Sequence, residues 1–412
     1  MLIMKILVYA INYAPELIST GKYTSEMCEW LSARGHEVRV ITAQPYYPDW
    51  KVFDGYKAWC YRTEIINNVR VMRCPLWVPS KPTGRGRIFH LLSFAVSSFF
   101  RLITQITWRP DVIFFVEPSI FCFPNAFLFS KLTGAVPVLH IQDFEVNAAF
   151  ELGILKSQLI RKILTKFEGY FIKKCKLVST ISPNMQKKLL KIRVHGSKAI
   201  FSPNWVDTDL IKPLAGSGKL RKDLNLSDKD IVCFYSGNFG KKQGLEIIID
   251  AADKLKDKQH LVFVIGGAGP YKEKLQQLVS ARKITNIIWL PLQPLSRLNE
   301  LLNLADIHLL PQRKEAADLV MPSKLGCMLA SGRPIIATAL PNTQLYNIVE
   351  NTGQVTIPGD VTSFVVAIEK LAGDFEYRRK MGENARKYAE DNLNKEDILN
   401  EYEQRLKNLI EG

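Results

Sequence analysis

Short runs that are apolar on consecutive positions recur along the chain. KILVYAI (5–11), DVIFFVE (111–117), VPVLHIQ (136–142) and KLVSTIS (176–182) are of this kind. They lack the polar–apolar alternation of a strand with one wet face, so they predict strands covered on both faces of a parallel sheet. Between the first two, TSEMCEWLSARGHEVRVIT (24–42) changes to helical spacing and then back to a strand. Thr24 is placed to cap that helix and Gly35 to end it. The alternation restarts after SPNWVD (202–207) with strand-like IVCFYSGNFG (231–240), helical GLEIIIDAADKLK (244–256), strand-like HLVFVIGGAG (260–269) and helical YKEKLQQLVSARK (271–283). NIIWLP (286–291), DIHLLP (306–311) and RPIIAT (333–338) read as further short strands.

Strands alternating with helices in two successive blocks predict an α/β chain of two Rossmann-like, doubly wound domains. The first spans 1–204 and the second 205–391, with the last helix, about 392–412, placed to pack back on the first. A chain of 412 residues is too long for one ordinary core, which agrees. Such domains bind ligands at the carboxyl ends of their strands, so the expected site is a cleft between the two.

Charge separates the halves. Residues 1–205 carry 27 Lys and Arg against 13 Asp and Glu, whereas 206–412 carry 28 against 27. The stretch 156–198 holds 12 basic residues and one acid, Glu168. The first half therefore meets something anionic: nucleic acid, an acidic membrane surface or a phosphorylated substrate. Within it, 87–109 is apolar around most of a helical circumference and has basic ends, which suits either a buried helix or one dipping into a bilayer surface. No run of eighteen uncharged apolar residues occurs, and the apolar start, interrupted by Asn12, Pro15 and Glu16, is too short for a signal peptide. Seven cysteines without a C-x-x-C pair indicate a reducing compartment.

Three glycine-bearing turns follow strands. Gly237 and Gly240, with Gly244, frame Lys241 and Lys242; Gly266, Gly267 and Gly269 form a second turn; Gly21 lies after the first strand. Glycine lets backbone amides approach a phosphate and lysine neutralises it; an ordinary turn with solvated lysines is the plainer alternative. In MPSKLGCMLASGRPIIAT (321–338), Ser323 and Lys324 stand at an expected helix start with the lysine facing outward, where amides and an ammonium favour an anion. His140 and Asp143 follow a strand and are placed at the cleft rim, with Glu117 in a similar position and Glu16 as a possible helix cap. His140 suits either a substrate contact or a structural hydrogen bond. No His, Cys, Asp and Glu cluster has metal-ligand spacing.

At these residues the chain resembles the family 4 retaining glycosyltransferases of the GT-B fold, over nearly its whole length. NYAPE…TG, LSARGHEVRVIT, RPDVIFFVEP, the His140/Asp143 segment, SPNWVD, YSGNFGKKQGLE, GGAGPYKEKL and PSKLGCMLASGRPIIAT carry the likeness, which is greatest to bacterial exopolysaccharide transferases of the colanic acid type. The resemblance implies a donor that is a nucleotide-sugar (GDP- or UDP-sugar), no metal or other cofactor, and a lipid-diphosphate-linked acceptor. It implies a cytoplasmic enzyme, peripheral on the inner face of the plasma membrane, and no nucleic-acid partner. It places Gly21, Gly237, Asn238, Gly240, Lys241, Lys242, Gly267, Ser323 and Lys324 on the donor, Glu117 and Asp143 on the acceptor, and His140, Asp143 and Lys324 in catalysis. The chain departs from the family in two places. Leu319 and Cys327 stand where two glutamates are common, and Asn238 and Gln243 where Arg and Lys are. A catalytically weak glycan- or lipid-binding protein and a nucleotide-sugar epimerase of the same fold therefore stay open.

Overall fold

In the computed structural model, residues 2–16, 20–80, 83–144, 157–194, 196–214, 216, 218–314 and 321–411 are described. They fall into two compact units, Met1–Pro203 with Asp397–Gly412, and Asn204–Glu396.

Unit 1 opens with β1 (Lys5–Tyr9), α1 (Thr20–Ala33), β2 (Glu37–Ala43) and a hairpin of β3 (Arg62–Ile66) and β4 (Val69–Cys74). It continues through α2 (Gly84–Ile103), β5 (Val112–Glu117), α3 (Phe123–Thr133), β6 (Val136–Ile141), α4 (Gln158–Lys174), β7 (Leu177–Thr180), α5 (Pro183–Lys191) and β8 (Ala199–Phe201). The sheet order is β3-β4-β2-β1-β5-β6-β7-β8. Every pairing is parallel except β3 with β4. The apolar runs do not announce this antiparallel edge, because β3 is largely exposed and its sequence is half polar. Its turn is legible: Asn67 and Asn68 both take positive φ, 48° and 64°, the conformation a tight hairpin needs and asparagine tolerates.

Unit 2 contains α6 (Lys219–Asp223), β9 (Ile231–Asn238), α7 (Glu246–Lys254), β10 (Leu261–Ala268), α8 (Lys272–Ala281), β11 (Ile287–Leu290), α9 (Leu298–Asn303) and β12 (Ile307–Leu310). There follow α10 (Leu325–Ala330), β13 (Ile335–Thr338), α11 (Gln344–Val349), β14 (Gly353–Thr356), α12 (Val361–Gly373) and α13 (Phe375–Leu393). Its sheet is parallel throughout, in the order β11-β10-β9-β12-β13-β14. Alternate residues of β9 serve opposite faces. Cys233 and Tyr235 pack with α7, α8 and α12, and Val232 and Phe234 with Leu220 of α6 and Leu304 beyond α9. The two faces are why these strands read as continuously apolar.

The last helix, α14 (Lys395–Glu411), belongs to unit 1 from Asp397 onward. Its Tyr402 hydroxyl meets Ser179 Oγ at 2.7 Å and its ring lies 5.7 Å from that of Phe114. Glu403, buried, sits 2.9 Å from Arg34 Nε, 2.8 Å from His36 Nε2 and 2.6 Å from Lys407 Nζ. Burial alone would raise the Glu403 carboxyl, but hydrogen bonds from Lys407 and His36 and the charge of Arg34 outweigh it and hold the group below its ordinary value.

Candidate active site

β9 and β10 end side by side, with Gly267 opposite Gly237 and Ala268 opposite Asn238. Both glycines have positive φ, 148° at Gly237 and 135° at Gly267. A Cβ on Gly267 would lie 1.9 Å from the Gly237 carbonyl oxygen, so only glycine lets these two backbones come so close. The two glycine turns are thus one structure, built at the carboxyl edge of adjacent central strands.

Lys324 reaches into that structure. The helix after it, α10, is only six residues long and begins at Leu325, which makes Lys324 itself the capping position. Ser323 is exposed, and no side chain caps the helix. The lysine does not face outward as expected. Its ammonium turns back onto β9, donates to the Ser236 carbonyl at 3.1 Å and lies 3.8 Å from the centroid of the Tyr235 ring. The Tyr235 hydroxyl donates in turn to the Asn238 carbonyl at 2.9 Å. Loss of hydration lowers the Lys324 ammonium to about 7. Among the described residues no carboxylate pairs with it. A desolvated cation held by a carbonyl and a ring face, without a counter-anion, is a place where a phosphate gains much. Tyr235 is the member of this group that the sequence reading missed. Its signal was an aromatic residue two positions before a strand-end glycine.

α10 is wedged in place by packing on both sides. Leu325, Met328 and Leu329 meet Ile335 and Ala337 of the sheet and Ala385 and Ala389 of α13. Arg386 of α13 donates to the Ala330 and Ile211 carbonyls at 2.9 and 2.7 Å, which fixes the end of α10. Cys327, where the family often has a glutamate, lies within α10 and is half-buried; Leu319 falls outside the described residues.

Lys241 and Lys242 stand exposed on a single 3₁₀ turn, Lys241–Gln243, after β9. Gly240 precedes that turn and the exposed Asn238 ends β9. The Lys242 carbonyl accepts the Arg313 amide at 3.1 Å, which ties the turn to the chain leaving β12. Arg313 Nη2 also meets Glu246 Oε1 at 2.7 Å. A cavity of about 360 Å³ lined by Gly244, Glu246, Arg313, Thr338 and Gly359 opens at the same sheet edge, but neither Lys324 nor Gly237 lines it. Among the described residues no group of three or more His, Cys, Asp or Glu is placed to hold a metal ion.

In unit 1 three placements differ from the sequence reading. α1 already includes Thr20, four residues before the expected cap Thr24, since nothing from Gly21 to Tyr23 stops a helix. Gly21 lies in its first turn, and a Cβ there would meet the Glu16 carbonyl oxygen at 2.8 Å. Among the described residues Glu16 caps no helix. Its buried carboxylate accepts the Tyr46 and Tyr47 amides at 2.7 and 2.8 Å and the Asn12 side chain at 2.8 Å, and burial still raises its pKa. His140 is inside β6, not after it. It points to the sheet face that α14 covers, with Nδ1 2.7 Å from Ser179 Oγ and Nε2 2.8 Å from the Gln142 amide nitrogen. Burial lowers it to about 4, so it is neutral at pH 7. Asp143, half-buried, lies two residues beyond β6, and Glu117 is the buried last residue of β5.

These two units match two family models: Glycosyl transferase 4-like domain over residues 20–205, and Glycosyl transferases group 1 over residues 217–388. The chain is 43% identical over 407 residues to a protein of Escherichia coli (strain K12) described as a colanic acid biosynthesis glycosyl transferase, WcaI, covering 97% of this chain and 98% of that one. The chain is a group 1, family 4-like glycosyltransferase. The transferase shares its fold with a sucrose-phosphate synthase from Thermosynechococcus elongatus (TM-score 0.73, 17% identity, 98% of this chain and 99% of that one). It also shares it with HepE from Anabaena, solved in complex with UDP (TM-score 0.72, 15% identity, 98% and 100%). Both likenesses establish the GT-B architecture of the transferase, two Rossmann-like domains in one chain.

Proposed function

We propose that this glycosyltransferase moves a sugar from a UDP- or GDP-sugar to a lipid-diphosphate-linked acceptor, with retention of anomeric configuration, in exopolysaccharide synthesis of the colanic acid type. The observation that carries the donor half of this reading is the Lys324 ammonium, desolvated over Tyr235 and the Ser236 carbonyl beside the paired glycine turns. As the bond from the anomeric carbon to the diphosphate breaks, negative charge grows on the leaving phosphate, and Lys324 with Lys241 or Lys242 stabilises it. A lysine already in place and protonated with the bound diphosphate does this without a divalent metal. Asp143 takes the proton of the acceptor hydroxyl, and His140, through Gln142, positions the turn that carries Asp143. Gly21, in the first turn of α1 and packed on Glu16, offers its backbone to the donor phosphates from unit 1. The 43% identity to WcaI supports the pathway class, and UDP in HepE supports a nucleotide donor.

The net charge of unit 1 supports an acceptor held at an anionic leaflet, and hence a cytoplasmic enzyme peripheral to the inner membrane face. A thermal-shift screen of UDP- and GDP-sugars, followed by transfer to a short-chain lipid-diphosphate acceptor and NMR of the new anomeric centre, tests the whole. A stabilising donor that is transferred with inversion overturns retention. A donor that binds and is never transferred favours a binding protein, a reading that Cys327 in place of a carboxylate supports.

A further inference from the structure

Unit 1 exposes far more apolar surface than unit 2. Among the described residues nineteen large hydrophobic side chains are exposed in unit 1 and six in unit 2. Five of the nineteen lie on α2: Phe89 (63% exposed), Leu92 (36%), Val96 (61%), Phe100 (58%) and Ile103 (45%). At 100° per residue they fall within one arc of about 80°, and fourteen residues of rise make the stripe about 21 Å long. Leu128 and Leu132 of the neighbouring α3 are also exposed. Exposed Tyr61 and Trp77 flank α2, the Tyr61 hydroxyl donating to the Ser97 carbonyl at 2.8 Å and the Trp77 amide to Ser93 Oγ at 3.0 Å.

The residues 86–103 are long and apolar enough to cross a bilayer by composition. They do not lie free to do so. Phe94, Ala95 and Leu102 are buried in the core, Ser98 Oγ meets the Tyr9 hydroxyl at 2.6 Å, and Asn125 of α3 donates to the Ala95 carbonyl at 2.7 Å. One side of the helix is committed to protein and the other is bare.

What covers the bare side is indicated by the charges beside it. α4 joins the same layer through Phe171, whose ring lies 5.2 Å from Phe127 of α3. Lys162, Lys166, Lys173 and Lys174 of α4 and Lys187, Lys188 and Lys191 of α5 are all exposed. Among the described residues none of these seven forms an ion pair. A second copy of this face would bring like charges together, whereas an anionic leaflet supplies both the missing negative charge and an apolar interior.

We infer that α2 is a monotopic membrane anchor: it lies in the plane of an anionic leaflet, inserts the Phe89–Leu92–Val96–Phe100–Ile103 stripe into the acyl boundary, and is steered there by the lysines of α4 and α5. This rests on the membrane-acceptor reading above and adds the surface that makes the contact. It also predicts a part of the binding that salt does not remove, since insertion is not screened.

The test is flotation of the full chain with vesicles of phosphatidylglycerol and phosphatidylcholine, or of phosphatidylcholine alone, over a salt series. Wild type should float strongly with the anionic vesicles at low salt, weakly with phosphatidylcholine alone, and retain at high salt a bound fraction close to that with phosphatidylcholine alone. Phe89→Ser/Val96→Ser/Phe100→Ser should lower the partition coefficient by on the order of 100-fold and abolish the salt-resistant fraction. Lys162→Gln/Lys166→Gln/Lys173→Gln/Lys174→Gln should lower low-salt binding by about tenfold or more. In a Cys60→Ser background, an environment-sensitive dye on Val96→Cys should shift to the blue with anionic vesicles, relative to the same background without the new cysteine. This readout stands even if the triple variant folds poorly. Unchanged high-salt flotation of a folded triple variant, or no dye shift, overturns the anchor. So does a wild-type dimer that the triple variant makes monomeric without changing flotation. Thermal shift with UDP and GDP separates the two proposals: loss of flotation with the shift intact concerns the anchor, and no shift in wild type concerns the donor reading.

Discussion

The first strand of each unit ends in a glycine-bearing loop, and the two loops are used in opposite ways. After β1 the loop closes around an anion of its own, the Glu16 carboxylate, which consumes the Tyr46 and Tyr47 amides; Gly21 is small because Glu16 packs against it. After β9 no such carboxylate is present among the described residues, and the loop instead gathers paired glycines and the Lys324 ammonium. Topological equivalence therefore says where a ligand can bind. The two loops differ in what they store, a buried carboxylate in one and a lysine ammonium in the other.

The comparison breaks most sharply at the glycines. Gly267→Ala places a Cβ against the Gly237 carbonyl at an unfavourable φ, and should cost about 4 kcal/mol or prevent unit 2 from folding. Gly21→Ala has an ordinary helical φ and a milder clash, and should cost about 1–2 kcal/mol. Chemical denaturation of the two variants measures the difference; equal losses would remove the distinction between the loops.

Lys324→Ala should leave the melting temperature near wild type or slightly higher, since it removes a desolvated charge, while lowering turnover about 100-fold, some 3 kcal/mol. Near-normal turnover in a folded variant would show that the second loop does not serve the leaving phosphate. The same lysine is lowered to about 7 in the free protein, so a bound diphosphate should restore its proton. Calorimetry in buffers of different ionisation enthalpy should show proton uptake on UDP or GDP binding at pH 8. Proton release would contradict it.

Three buried histidines are lowered chiefly by desolvation, His90 and His140 of unit 1 to about 4 and His308 of unit 2 to about 3. Their folded values lie below the unfolded value near 6.5, so the unfolded chain binds more protons and stability falls as pH falls below that value. From pH 7 to 5.5 each should cost about 1 kcal/mol. His140→Asn and His308→Asn should each flatten the profile; a slope that survives both must come from His90 or from elsewhere. The smallest expected effect is that of a chelator. With lysines to neutralise the diphosphate, turnover in excess EDTA should match the untreated rate, and loss restored by magnesium or manganese would overturn that role.

Much of the fold was readable because parallel strands covered on both faces are apolar on both faces along most of their length, and β1, β5, β6, β9 and β10 are so apart from Lys5, Glu117, His140, Ser236 and Asn238. The β3–β4 edge escaped because a half-wet strand carries polar residues. The site was partly readable. Gly237, Gly267 and Lys324 stood out by residue type, but the partners of Lys324 did not, since Tyr235 and Ser236 lie almost ninety residues away and meet it only through the sheet.

The chain's own pattern determined that there are two doubly wound units, that the first is basic, and that glycine turns end the central strands. These follow from local spacing and composition, which act within a few residues. Tertiary structure alone decided which way each polar group faces. His140 and Leu139 are neighbours, yet strand parity and the returning α14 put one into a hydrogen-bonded chain with Ser179 and Tyr402 and the other into the core of α2, α3 and α4. Lys324 turns inward because Tyr235 and a carbonyl wait there, and the α2 stripe stays bare because no other element of unit 1 covers it among the described residues. Direction is set by what packs opposite, and what packs opposite comes from distant parts of the chain.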